Sequence, residues 1–130
     1  MATRSRIGIE NENGTVSSIY CHWDGYPEHN GKLLKEHYTD RSKVEQLIAL
    51  GDISSLGEEV APTGEHTFDK PQPGVTVAYH RDRGEDFQAA RVDKNPESYF
   101  TSDIEEYGYL FTKNGEWVYV GYTDRKPKSL

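Results

Sequence analysis

The chain contains a single cysteine, Cys21, so it cannot form an internal disulfide bond. Folding without disulfides is typical of proteins in a reducing cytoplasm. No apolar run approaches the roughly 20 residues that a membrane-spanning helix needs, and residues 1–6 lack the apolar core of a secretory signal. The sequence therefore predicts a cytoplasmic protein that does not enter a membrane.

Cationic residues are also scarce: 15 Lys and Arg stand against 22 Asp and Glu, and the formal net charge is -7. Non-specific binding to a nucleic-acid backbone requires clustered cations, so the composition argues against it. From Asp52 to Asp69 there are acidic residues but no Lys or Arg. Such a segment either forms an ordinary acidic surface or mimics nucleic acid toward a host protein, and the sequence leaves both interpretations open.

Aromatic residues, in contrast, are plentiful. They make up 12% of the 130 residues and include nine tyrosines. A disordered chain carries few aromatic residues, and a chain of this length favours one domain. We therefore expect a single folded domain over residues 1–130.

The first half of the chain predicts a β-hairpin followed by two helices. Ile7 and Ile9 alternate with small or polar residues, Asn13-Gly14 is a turn signal, and residues 15–21 are typical of a returning strand. Residues 30–38 have a helical pattern, and a second helix begins after Asp40 as its N-cap. Its apolar residues recur at helical spacing, and Gly51 follows it as a C-terminal stop.

The second half predicts mainly strands. Residues 54–74 are rich in Pro and Gly, which predicts a long surface loop. A middle strand follows at 75–79, and Asn95-Pro96 is typical of the start of a short helix or turn. Residues 107–112 and 117–122 flank a turn and form the clearest hairpin. The predicted fold is α+β: an antiparallel sheet of about five strands, from the two hairpins and the middle strand, with two helices packed on one face.

Residues 20–28 form the most distinctive run, Tyr-Cys-His-Trp-Asp-Gly-Tyr-Pro-Glu. His22 can titrate near neutral pH or bind a metal ion. If the strand continues into this run, Cys21 and Trp23 share a packed face of the sheet while His22 and Asp24 share the polar face. The adjacent Cys21 and His22 then point in opposite directions, which argues against a catalytic thiol dyad.

A second polar run, residues 79–85 (Tyr-His-Arg-Asp-Arg-Gly-Glu), follows the predicted middle strand. Together the two runs supply nitrogen and oxygen ligands for Zn²⁺ or Mn²⁺. The candidate metal ligands are His22, Asp24, His80, Asp82 and Glu85. Their spacing matches no known metal motif, so we expect no cofactor. A divalent metal ion remains the alternative.

The two runs also suit a small anionic or nucleotide ligand. Two arginines can form a fork around a phosphate or carboxylate, and aromatic side chains can stack on a base. The candidate ligand-binding residues are His22, Trp23, Asp24, Tyr26, Tyr79, His80, Arg81 and Arg83. In the alternative interpretation both arginines pair with nearby carboxylates in a structural network.

These runs also carry a resemblance to a known family. The matching residues are Thr3-Arg4-Ser5, Ile7, the run Ile-Tyr-Cys-His-Trp-Asp-Gly-Tyr at 19–26, Gly31, Leu33, Leu34, Gly51, Ser54-Ser55-Leu56-Gly57, the run at 79–85 and the aromatic C-terminal hairpin. In these residues the chain resembles small, mostly uncharacterised accessory proteins of tailed bacteriophages and some bacteria. The resemblance covers nearly the whole chain except residues 58–74. It implies a phage accessory protein in the cytoplasm of an infected bacterium, and it implies no activity or catalytic residue.

Three functional hypotheses follow. The leading one is a non-enzymatic protein that inhibits or diverts a host system, such as antiviral defence, by binding a host bacterial protein or sequestering an anionic ligand. The alternative is a metal-dependent phosphoester hydrolase that uses the five candidate metal ligands. In the third, both runs only join the sheet to the helices. Self-association is compatible with each.

Overall fold

The computed structural model describes residues 3–102, 105–121, 123 and 125–130. Among these residues the strands are β1 (Ser5–Glu10), β2 (Val16–Cys21), β3 (Ile53–Ser55), β4 (Val77–Ala78), β5 (Arg91–Asp93), β6 (Tyr107–Phe111), β7 (Trp117–Gly121) and β8 (Lys128–Ser129). The helices are α1 (Lys32–His37), α2 (Arg41–Ala49), α3 (Tyr79–Arg83) and α4 (Pro96–Thr101). A π-helical turn, Pro27–Gly31, leads into α1.

The strands form one mixed sheet in the order β4-β3-β2-β1-β6-β7-β8, and β5 pairs with the opposite end of β2 from β3. The β1–β6 and β2–β3 pairs are parallel, and the other pairs are antiparallel. The predicted antiparallel sheet of five strands is therefore wrong in both strand number and direction. Alternation of apolar residues identifies a strand but carries no information about the direction of its neighbour, and β3, β4, β5 and β8 are too short to show alternation.

Both predicted hairpins are present. In the first, the backbone N–H of Asn11 donates to the carbonyl of Thr15 over 2.8 Å, and Gly14 adopts a φ of 86°. In the second, β6 and β7 pair in register from Tyr107 opposite Gly121 to Phe111 opposite Trp117. The predicted end of this hairpin at Tyr122 lies outside the described residues.

The two predicted helices are also present, and the bounds of α2 are explained by its caps. The side chain of Asp40 accepts a hydrogen bond from the backbone N–H of Ser42 over 3.1 Å, which satisfies a free donor at the start of α2. Gly51 has a φ of 76°, a left-handed conformation that ends the helical segment and is cheapest for glycine. The chain then enters β3, parallel to β2.

The sheet is covered on both faces rather than on one. On the first face α1 and α2 bury a core that includes Ile7, Leu34, Leu47 and Phe111. On the opposite face α4 contributes to a smaller core built from Val16, Tyr99, Phe100, Leu110 and Val120. The predicted arrangement of two helices on one face is thus incomplete. Although α4 is short, its two large aromatic side chains bury enough apolar surface to cover this face.

The predicted surface loop begins inside β3 and is largely exposed from residue 61 to residue 74. It is nevertheless anchored, because Val60 and the side chain of His66 are buried. None of the helices in the described part of the chain is long and apolar enough to cross a membrane.

Candidate functional site

The two distinctive runs lie on either side of β3. The backbone N–H of His22 donates to the carbonyl of Ile53 over 3.2 Å, and that of Trp23 donates to the carbonyl of Ser54 over 2.9 Å. On the other side, the backbone N–H of Tyr79 donates to the carbonyl of Asp52 over 3.3 Å. This short strand therefore brings together two segments that are far apart in the sequence.

A groove of about 630 Å³ opens between the two runs. It is lined by Tyr20, Asp52, Tyr79, Gly84, Glu85, Asp86 and Gln88. We call it the acidic groove, because three of these side chains are carboxylates and none is a Lys or Arg. A concave surface lined by charges of one sign concentrates groups of the opposite sign. The groove therefore favours a cationic ligand and disfavours an anionic one.

Two tyrosines give the acidic groove its aromatic character. Burial raises the pKa of both Tyr20 and Tyr79 above the ordinary value of 10.0, so neither phenol ionises near neutral pH. The hydroxyl of Tyr20 lies 2.7 Å from Nδ1 of His22. The rings can thus pack against a ligand without adding charge, and the negative charge comes from the carboxylates alone.

Asp52 is a site residue that the sequence reasoning missed. Its Oδ1 accepts a hydrogen bond from the backbone N–H of Tyr20 over 3.0 Å. In the described part of the chain, β3 pairs with this edge of β2 at Cys21 and β5 pairs with it at residues 16–18. The Asp52 carboxylate therefore binds an N–H that neither strand pairs with. The only sequence signal was its place at the start of the acidic segment, since β3 is too short to be predicted.

The first run leaves the sheet after Cys21. The prediction that Cys21 and Trp23 share a packed face is wrong for Trp23, which is 44% exposed. The strand ends at Cys21, and the backbone turns at Asp24, whose φ is 55°. His22 packs against the edge of the indole ring with centroids 4.8 Å apart. Of the predicted ligand-binding residues in this run, none lines the acidic groove, although His22 contacts its wall through Tyr20.

The second run contributes Tyr79 and Glu85 to the acidic groove. His80 turns back on its own loop, with Nδ1 at 2.7 Å from the carbonyl of Glu85 and its ring against Phe87. The guanidinium of Arg83 lies 4.9 Å from the centroid of the Phe68 ring, and its Nε is 3.5 Å from a Glu85 carboxylate oxygen. Arg83 thus stands outside the groove and offsets part of the charge of Glu85.

Arg81 does not line the acidic groove, and four of its five N–H donors are used within the protein. Its two terminal nitrogens donate to the carbonyls of Val60 and Thr76 over 2.6 Å each. It also forms a two-point ion pair with Asp82, with distances of 2.9 and 3.0 Å. Both edges of the guanidinium that could form a two-point contact with a phosphate are therefore occupied. The predicted arginine fork around an anion is therefore not assembled.

His66 completes this buried network and was not singled out by the sequence. Its side chain is 1% exposed, and its Nδ1 accepts a hydrogen bond from the backbone N–H of Gln72 over 2.9 Å. Its Nε2 lies 3.1 Å from a carboxylate oxygen of Asp82. With both ring nitrogens enclosed, His66 anchors the loop to α3.

The candidate metal ligands are dispersed around β3 and α3. Among the residues that the structure describes, no group of three or more His, Cys, Asp and Glu side chains is placed to hold a metal ion. Asp82 is committed to Arg81 and to the backbone N–H of Ala78. The geometry of these five side chains therefore does not favour the hydrolase hypothesis.

The thiol of Cys21 is enclosed as well. It accepts a hydrogen bond from the side-chain amide of Asn30 over 3.3 Å, and burial raises its pKa to about 11. A thiol with a raised pKa is a poor nucleophile at neutral pH, because the thiolate is the reactive form. Cys21 is a core residue.

No family model, curated protein or solved structure matches this chain. The function of the protein is therefore inferred from the geometry of the groove between the two runs.

The Asp82 carboxylate predicts a specific pH dependence of stability. Burial alone would raise its pKa, but hydrogen bonds from Arg81 and from the backbone N–H of Ala78 outweigh burial and hold the pKa below 3.8. A carboxylate with a lowered folded-state pKa stabilises the protein fully above pH 3.8, and this contribution is lost as the pH falls through the lowered pKa. We expect Asp82→Asn to lower the free energy of unfolding by about 2 kcal/mol at neutral pH.

Urea unfolding between pH 7 and pH 2.5 measures this effect. The difference between wild type and Asp82→Asn should shrink as the pH falls below 3.8. Asp86→Asn removes an exposed carboxylate and should differ from wild type by less than about 0.5 kcal/mol throughout. A constant difference for Asp82→Asn across the whole range would contradict the assignment.

Proposed function

We propose that this protein acts by binding, and that its acidic groove captures a Lys- or Arg-rich segment of a partner protein. The observation that carries this proposal is the lining of the groove. Its described residues include three carboxylates and two neutral tyrosines, and none of them is cationic. Carboxylates form charge-assisted hydrogen bonds with ammonium and guanidinium groups, and aromatic faces attract the same cations. A nucleotide or another anion would meet repulsion there.

The net charge of -7 supports the same partner chemistry at longer range. Opposite net charges accelerate encounter between proteins, and the effect weakens as salt screens it. Following the resemblance to phage accessory proteins, we also propose that the protein is encoded by a phage. The partner would be a bacterial host protein, met in the host cytoplasm and diverted from its role, for instance in defence against phages.

The proposal is tested with a fluorescein-labelled hexa-arginine peptide and fluorescence polarisation. The groove variant Glu85→Gln/Asp86→Asn is expected to bind the peptide at least 10-fold more weakly than wild type, because two of the three carboxylates lose their charge. The control variant Glu12→Gln/Glu45→Gln makes the same change in net charge near the turn of the first hairpin and should change affinity less than 3-fold. Raising the salt concentration from 50 to 200 mM should weaken wild-type binding.

Two results would overturn the proposal. One is an equal loss of affinity in the groove and control variants, which would show that only net charge matters. The other is tighter binding of ATP than of hexa-arginine in a direct calorimetric titration, which would return attention to an anionic ligand. If neither result is found, the partner is identified among the proteins that wild type retains from a bacterial lysate and the groove variant does not.

A further inference from the structure

A second surface of the molecule presents aromatic side chains on a firmly held loop. Trp23 is 44% exposed and Tyr26 is 36% exposed, although large aromatic side chains are usually buried. The loop beneath them is fixed, because the backbone N–H of Gly25 donates to the carbonyl of Thr3 over 2.8 Å and the carbonyl of Gly25 accepts from the Tyr109 hydroxyl over 2.6 Å. Rigid exposed aromatic residues are frequent energetic centres of protein interfaces.

The backbone of this loop also carries local strain. Asp24 adopts a φ of 55°, a left-handed conformation that is uncommon outside glycine, although aspartate and asparagine tolerate it better than most residues. There is no room for a side chain at Gly25, where a Cβ atom would lie 2.7 Å from that of Ser5. Trp23 and Tyr26 flank this tight turn in the sequence, and both are exposed. Strain of this kind tends to persist where a surface has a role.

An apolar groove of about 390 Å³ begins at Asp24. Its apolar lining consists of Leu33, Leu56, Pro71, Pro73, Val75 and Val77. Trp23, Asp24, Tyr26 and this groove together are called the Trp23 surface. The loop formed by residues 71–75 is one wall of the groove, so the anchoring of that loop through His66 helps to define its shape.

The charges of the Trp23 surface indicate which residues flank the apolar side chain of a bound segment. The groove includes the carboxylates of Asp24 and Glu58, and none of its lining residues is a Lys or Arg. His29, with its Nδ1 3.0 Å from the side-chain oxygen of Asn30, is the remaining titratable group of the lining. A groove lined by apolar side chains together with two carboxylates complements an apolar side chain that has a cationic neighbour.

We infer that the Trp23 surface is a docking site for a partner-protein segment in which apolar side chains are flanked by Lys or Arg. This site shares no lining residue with the acidic groove and differs from it in requiring an apolar anchor as well as positive charge. It therefore goes beyond the proposed function. A partner that engaged both surfaces would gain affinity from two contacts.

The experiment uses the full ¹⁵N-labelled chain and three hexapeptide probes, observed through amide and indole N–H chemical shifts. The probes are Lys-Lys-Leu-Leu-Lys-Lys, Lys-Lys-Ser-Ser-Lys-Lys and Glu-Glu-Leu-Leu-Glu-Glu. The first is expected to shift the Trp23 indole N–H and the amides of Leu56 and Val75, with at least 10-fold higher affinity at these positions than either other probe. Shifts at Tyr79 and Asp86 report the acidic groove separately, so failure at one surface is distinguishable from failure at the other.

Matched variants sharpen the test. Trp23→Ala removes an aromatic anchor, and Asp24→Asn removes the charge while keeping a residue that tolerates the left-handed backbone. Each should weaken binding of the leucine-containing basic probe at the Trp23 surface at least 5-fold. Phe87→Ala removes a similarly exposed aromatic side chain elsewhere and should change that affinity less than 2-fold.

Three outcomes would overturn the inference. Equal affinity of the serine and leucine basic probes at the Trp23 surface would show that no apolar anchor is recognised. Absence of shifts at Trp23 with the leucine basic probe would show that the surface does not take such a segment. Concentration-dependent shifts of the same residues without any peptide would assign the surface to a second copy of the chain.

Discussion

Replacement of Tyr109 by alanine is expected to lower the free energy of unfolding by about 4 kcal/mol, the largest single effect predicted for this chain. Tyr109 is fully buried in the core beneath α1 and α2. Its ring stacks against Tyr119 with centroids 6.1 Å apart, and its hydroxyl donates to the carbonyl of Gly25 over 2.6 Å. The variant would leave a large cavity and an unpaired buried carbonyl, and urea unfolding measures the loss.

Tyr109→Phe separates the two contributions. It keeps the ring and removes only the hydroxyl, so we expect a loss of about 1.5 kcal/mol from the unpaired carbonyl of Gly25. Because that carbonyl belongs to the loop that presents Trp23, acrylamide should quench the Trp23 fluorescence more strongly in this variant. Equal losses for the alanine and phenylalanine variants would show that the hydrogen bond, rather than packing of the ring, dominates.

Replacement of Arg81 by alanine is expected to lower the free energy of unfolding by about 3 kcal/mol. The side chain of Asp82 is only 4% exposed, and removal of Arg81 strands this carboxylate together with the carbonyls of Val60 and Thr76. An uncompensated buried charge costs more than the net value of the pair. Thermal and urea unfolding both detect a change of this size.

Arg83→Ala is the matched control, two positions along the same short helix. The side chain of Arg83 is 56% exposed, and exposed ion pairs contribute little, so we expect a change below about 1 kcal/mol. In the double variant Arg81→Ala/Asp82→Ala the loss should be smaller than the sum of the single losses, because no charge is left stranded. Similar losses for the Arg81 and Arg83 variants would contradict the described network.

The hairpins and α2 could be predicted because short sequence patterns specify their conformation. The Asn-Gly turns, the alternation of Ile7 and Ile9 and the cap at Asp40 each specify conformation within a few residues, and the corresponding hairpins and α2 are present. The sheet as a whole depends on pairings that have no local signal. β3 has three residues and β4 has two. Which strands they pair with depends on where the preceding helices and the loop between β3 and β4 position them.

The candidate site divides along the same line. The two runs were recognisable from their composition, and the structure places both beside β3. The sequence could not show that Arg81 donates hydrogen bonds to the carbonyls of Val60 and Thr76. Every residue has a main-chain carbonyl, so no residue pattern identifies the one that accepts. Because Arg81 does not line the groove, the charge of the groove is set by Asp52, Glu85 and Asp86. The expected sign of the ligand therefore reverses from anionic to cationic.

The central position of β1 has a consequence for how the chain reaches its folded state. β1 pairs locally with β2. Among the described residues its other edge pairs with β6 alone, about a hundred residues further along the chain, and such distant pairings slow folding. A two-stranded hairpin alone is only marginally stable in water. During synthesis this free hydrogen-bonding edge of β1 therefore has no strand partner until β6 has left the ribosome. Unpaired strand edges in incompletely folded chains favour aggregation, so we expect the yield of folded protein to fall when the pairing of β6 with β1 is delayed.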